Sequence, residues 1–280
     1  MEKISFLIVI FCVFSSVLSA QNKDRILISS MGNDCEYRIS RTVRHHLKKD
    51  TYQVERNVDD GEQVLNILQG APLNLWINFS HGDDHRIWGK NRITKMSHYS
   101  SGLTMFSNPP GAYPESRSLE DLKAAIENKE IQFAENGLII LHACAVAAPH
   151  KETGRIFAQE LANITGVNVI AGQHKTEPLI EDYKELVYTN TKEFILFKPN
   201  GTPQLLGDKL YLTKTMLAHL EKGKDYDFSD YNLRPVPQEM LESPWLTQKE
   251  EMQVLELIEP KQSFILKSIM LKQMLKKTHS

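Results

Sequence analysis

The sequence predicts an α/β fold: a mostly parallel sheet with helices on both faces, followed by a helical C-terminal extension. Two patterns carry that expectation. Strand-like and helix-like segments alternate over residues 25–171, the order that builds parallel sheets with crossover helices. The strand-like segments are short, continuous apolar runs, as expected where both faces of a sheet are covered.

Arg25 to Ser29 (RILIS) reads as the first buried strand. Asn33 or Asp34 can cap a helix running to about Lys48. Tyr52 to Arg56 alternates like a strand, and Asp60 can cap a helix carrying Val64, Leu65 and Leu68. Leu73 to Phe79 (LNLWINF) is a second buried strand, followed by a glycine-, proline- and serine-bearing stretch from His81 to about Pro114. Ser118 and Asp121 have capping-box spacing ahead of Leu122 and Ile126. Gly137 to Leu141 (GLIIL) is a further apolar run, a helix from about Glu152 ends at Gly166, and Val167 to Ala171 (VNVIA) is a strand. Glu193–Lys198 and Gln204–Leu206 flank Pro199-Asn200-Gly201, a hairpin turn.

From about Asp208 the composition turns helical. Ser243 and Pro244 start a helix that Pro260 stops, and a last helix carries Phe264, Ile265, Ile269, Leu271 and Leu275 opposite four lysines. Those lysines read as a solvated face rather than a membrane-touching one. The expected organisation is a signal peptide over 1–20, an α/β domain over 21–207 and a helical extension over 208–280.

The signal reading rests on Lys3, the apolar run Ile4–Phe14 and the small residues Ser15, Ser16, Ser19 and Ala20. An uncleaved anchor is the alternative, although the run is shorter than the roughly 20 residues of a spanning helix. A secreted or periplasmic protein is therefore expected. Formal net charge is −2, which gives no whole-chain attraction to nucleic acid.

Cys12 departs with the signal, so Cys35 and Cys144 remain, too few for a disulfide scaffold. One disulfide and two thiols both stay open. Cys35 shares helical spacing with Ile39, Val43 and Leu47 and reads as a small core residue. Asn78-Phe79-Ser80 and Asn163-Ile164-Thr165 match glycosylation sequons but fall in an expected strand and helix, so they read as chance matches.

Functional residues of parallel sheets sit beyond the carboxyl ends of strands. His81 follows one such end and Cys144 another. A thiolate is the attacking species, and an imidazole can favour it and later protonate a leaving amine. Gly82 can bring its backbone N–H close to a developing oxyanion, and the N–H of Cys144 is the natural second donor.

The segment SHGDDHRIWG, Ser80 to Gly89, and the segment LIILHAC, Leu138 to Cys144, resemble the histidine and cysteine motifs of caspase-like cysteine peptidases. In that clan one hydrophobic strand ends in His-Gly and a later one in Ala-Cys, with the histidine about 50 residues upstream. The separation here is somewhat longer. The resemblance covers roughly residues 25–200. It implies a caspase-like sheet, a His81–Cys144 dyad and a polypeptide substrate, with no organic cofactor. His142 and Ala145-Val146 depart from the family pattern, so the family's residue preference does not carry over.

Other residues have two readings. Taken alone, Cys144 reads as a core thiol and His81 as a loop-bonding histidine. Asp83, Asp84, His142 and His174 are the expected substrate-binding candidates. The stretch Gly172-Gln173-His174-Lys175 borders the expected cleft and is otherwise an ordinary polar loop. Asp83, Asp84 and His85 are metal-type ligands, which His98, His142, His150 or His174 join if loops converge. No spacing matches a zinc signature, so no metal is expected. A structural or activating calcium ion at Asp83 or Asp84 stays open. The expected activity is a secreted cysteine endopeptidase acting through a thioester. The alternatives are a non-catalytic effector or binding protein of the same fold and another thiol-dependent amidase or acyl transferase.

Overall fold

The computed structural model describes residues 25–32, 52–89, 102–107, 116–175, 180–182, 185–212 and 226–242. All belong to the first of two compact units, Met1–Pro244; the second, Trp245–Ser280, lies outside the described residues. So do the expected signal peptide, the helix over 33–48 with Cys35, and the two C-terminal helices.

The main sheet is built from β1 (Arg25–Met31), β2 (Tyr52–Val58), β3 (Leu73–Phe79), β8 (Phe133–His142), β9 (Asn168–Gly172), β11 (Glu185–Phe197), β12 (Gln204–Leu212) and β13 (Arg234–Pro235). Their spatial order is β13-β12-β11-β9-β8-β3-β1-β2, and β10 (Ile180–Asp182) pairs with β11 off that path. Neighbours from β2 through β9 are parallel, whereas β9, β11, β12 and β13 pair antiparallel. The sheet is therefore mixed rather than mostly parallel. The hairpin turn at Asn200-Gly201 accounts for the β11–β12 pair, because a short turn joins only antiparallel neighbours.

A second, four-stranded sheet has the order β4-β5-β6-β7: β4 (His81–Asp83), β5 (Arg86–Trp88), β6 (Leu103–Thr104) and β7 (Arg117–Ser118). Part of the glycine-, proline- and serine-bearing stretch after His81 is thus ordered into strands. These strands are two or three residues long, too short for a two-residue period to show.

Alternation along the strands divides the core. Leu27, Trp76, Ile139, Leu141, Val169, Ala171 and Ile195 face one way. Ile26, Ile28, Leu75, Ile77, Ile140, Ile170 and Leu196 face the other. The first face is covered by α1 (Gly61–Leu68), α2 (Leu119–Glu127), α3 (Phe157–Thr165) and α4 (Gln238–Glu242), which supply Val64, Leu122, Leu161 and Met240. Among the described residues, the second face meets Tyr226, Phe228, Tyr231 and Leu233 rather than a helix. No helix of the described residues is long and apolar enough to cross a membrane.

The helix ends follow local chemistry. Asp60 accepts the Gln63 N–H, Ser118 and Asp121 form a reciprocal capping box, and Gly166 closes α3 at φ 72°. The third helix begins at Phe157, not near Glu152. Residues 151–153 are a turn, closed by the His150 and Gly154 backbone bonds to Arg155 and His150. β12 runs through Asp208, where the sequence suggested a boundary: Leu206 and Leu210 are buried while Asp208 and Lys209 are exposed.

A buried polar seam crosses the helix-covered face. The Trp76 Nε1–H donates to Ser29 Oγ at 2.9 Å, Ser29 Oγ donates to Asn78 Oδ1 at 2.9 Å, and Asn78 Nδ2 donates to Ser80 Oγ at 2.9 Å. Asn78 is fully buried, so its sequon cannot be reached in the folded chain. Asn78→Ala should lower stability by about 1–3 kcal/mol, because it orphans a buried hydroxyl donor; urea unfolding checks this.

Candidate active site

The site begins with strand register. β3 and β8 are adjacent and parallel, and their last pair is Phe79 with His142. The Ser80 N–H donates to the His142 carbonyl at 3.4 Å. Both chains therefore leave the sheet at one edge. His81 opens β4 just past β3, and Ala143-Cys144 follow directly from β8.

β4 and β5 form a tight hairpin in which His81 stands opposite Trp88. Directly opposed side chains on one hairpin face meet. Their rings stack with centroids 4.5 Å apart and 22° between planes. Gly82 follows. A Cβ there would lie 2.6 Å from the Cys144 carbonyl oxygen, 2.8 Å from Val146 Cγ1 and 2.9 Å from Ala143 Cβ. Glycine lets the hairpin backbone rest on the segment that carries Cys144.

Cys144 is half-buried and its sulfur is not in a disulfide. Buried alanines surround it at 143, 145, 147 and 148. Ala145 has φ 57°, a left-handed conformation costing a residue with a Cβ about 1–3 kcal/mol. Several backbone bonds hold it there. The Ala145 N–H donates to the His174 carbonyl at 3.0 Å and the Ala147 N–H to the Gly172 carbonyl at 3.1 Å, while the Val146 carbonyl accepts the Ala158 N–H at 3.1 Å. The bend is thus tied to the end of β9 and to the start of α3.

His174 lies beside Cys144 through its backbone. Asn190, buried in β11, clamps it: Asn190 Nδ2 donates to the His174 carbonyl at 3.1 Å, and Asn190 Oδ1 accepts the His174 N–H at 3.3 Å. Neither Asn190 nor the strain at Ala145 is visible in a local pattern, because both depend on strands distant in sequence.

His142 does not belong to a substrate surface. It is fully buried, its ring 5.5 Å from Phe79 and 5.3 Å from Tyr188. Alternation along β8 explains the correction: His142 follows Leu138 and Ile140 onto the second core face.

Asp83 and Asp84 are largely covered and held in place. Asp83 Oδ2 accepts Arg86 Nε–H at 2.8 Å. His85 Nδ1 lies 2.8 Å from Asp84 Oδ1 and 3.1 Å from Asp83 Oδ1, and Asp84 Oδ2 accepts the Lys151 N–H at 3.2 Å. Burial opposes ionisation of Asp84. The hydrogen bonds from His85 and Lys151, with the charges of His85 and His150, outweigh it and hold the carboxyl below its ordinary range. Ligand atoms of Asp84, His85 and His150 lie within 4.8 Å of one another.

Of the expected site residues, the structure brings Gly82 against Cys144 and the His174 backbone against Ala145. It sets Asp83 and Asp84 at the hairpin turn and removes His142 to the core. Gly82→Ala should lower stability by about 1–3 kcal/mol through overpacking against the Cys144 backbone, read as a lower Tm.

In comparison with known proteins, no family model, no curated protein and no solved structure matches the chain.

Proposed function

We propose that the chain is an exported cysteine endopeptidase of caspase-like type, with Cys144 as nucleophile and His81 as its acid–base partner. One observation carries the reading. The His-Gly and Ala-Cys segments leave adjacent parallel strands at the same edge, and Gly82 rests on the Cys144 carbonyl.

The chemistry follows from the side chains. The Cys144 thiolate attacks a peptide carbonyl, and the backbone N–H groups of Gly82 and Cys144 stabilise the oxyanion. Protonated His81 gives its proton to the departing amine, leaving a thioester on Cys144. His81 then takes a proton from water as that water attacks the thioester, which releases the acid and regenerates the Cys144 thiolate beside protonated His81. The stack on Trp88 limits ring rotation of His81, so its proton-transfer geometry is set before substrate arrives. The strained bend at Ala145 holds Cys144 half-buried instead of following His142 into the core.

Purified mature protein should cleave members of a diverse peptide library and form a covalent adduct at Cys144 with a thiol-directed acyl-type inhibitor. Cys144→Ala should abolish both, and His81→Ala should lower kcat about 10²- to 10⁴-fold, the ordinary worth of general acid–base assistance. Equal cleavage by wild type and Cys144→Ala would overturn the proposal.

A further inference from the structure

A cluster beside the proposed dyad has a chemistry of its own. Asp84 and His85 occupy the turn of the β4–β5 hairpin, and His150 stands on the segment that follows Cys144. One carboxylate oxygen and two imidazole nitrogens lie within 4.8 Å of one another. Metal bonds of about 2.0–2.2 Å to such ligands in a tetrahedral site set ligand atoms about 3.3–3.6 Å apart. Separations of up to 4.8 Å reach that range by side-chain rotation, and the 2.8 Å contact of Asp84 Oδ1 with His85 Nδ1 opens slightly when an ion replaces the shared proton.

The surroundings are those of a supported ligand set. His150 Nδ1 is 3.1 Å from Thr153 Oγ1. With Nδ1 so engaged, Nε2 is the nitrogen left to coordinate. The second oxygen of Asp84 is held by the Lys151 N–H at 3.2 Å. Ligating histidines and carboxylates are characteristically oriented by such outer partners. Two imidazoles with one carboxylate favour a borderline transition ion over calcium, which takes oxygen ligands.

We propose that Asp84, His85 and His150 form a binding site for a divalent transition ion of the zinc type, which clamps the His81 hairpin to the segment following Cys144. Three protein ligands leave a position for water. The inference concerns metal binding and does not rest on the peptidase reading.

The test uses the full mature chain, stripped with chelator and titrated with Zn²⁺ by calorimetry and with Co²⁺ by visible absorption. The expected result is one saturable equivalent and a four-coordinate Co²⁺ spectrum. Asp84→Asn and His150→Gln, each verified by circular dichroism, should weaken Zn²⁺ binding at least ~10-fold, and Thr153→Ala should weaken it about 10- to 100-fold. Zn²⁺ should raise the Tm of wild type but not of the two ligand variants. Undiminished Zn²⁺ affinity in both ligand variants, no saturable binding by wild type, or displacement of Zn²⁺ by equimolar Ca²⁺ would each overturn the proposal.

Discussion

The parallel pairing of β3 with β8 is the constraint on which the rest depends. Every residue paired from Leu75 with Leu138 to Phe79 with His142 is buried. Burying each such aliphatic or aromatic side chain is worth about 1.5–3 kcal/mol. A slip of one residue would exchange the two core faces, which makes the register costly to change. Fixing it also fixes where the two following segments leave the sheet, so His81 and Cys144 emerge at one edge as a consequence of core packing.

The edge is then refined by polar contacts. The seam from Trp76 through Ser29 and Asn78 ends at Ser80, the residue before His81. In a dry interior, removing one partner of such a chain leaves another unsatisfied, so the seam resists rearrangement. Beyond Cys144 the anchoring is backbone to backbone, reaching β9 and α3. Those bonds offset the unfavourable φ of Ala145 and hold the bend away from the core. The same packing brings the β4–β5 turn near His150, so the acidic turn, its histidines and the proposed dyad share one region.

Features governed by neighbours in sequence were legible. The caps at Asp60, Ser118 and Gly166 involve residues within three or four positions. The buried strands announced themselves as apolar runs. Features governed by distant pairing were not. The Leu-, Lys- and Asp-containing stretch after Leu206 reads as helical, yet its pairing with β11 makes it a strand, because tertiary pairing outweighs weak intrinsic preference. His142 was readable as a strand residue, but its assignment to the second face required the register and the aromatic neighbours Phe79 and Tyr188.

By itself, the sequence determined the alternation of strands and helices, the caps, the turn at Asn200-Gly201, and the placement of His81 and Cys144 just past apolar strands. Periodicity and capping act over a few residues, so one chain read in order contains them. Tertiary structure alone decided that β3 and β8 are neighbours, that the far strands run antiparallel, that Gly82 rests on Cys144, and that Asp84, His85 and His150 converge. These relations join segments tens of residues apart, and burial of the shared core selects among the many pairings that local pattern permits.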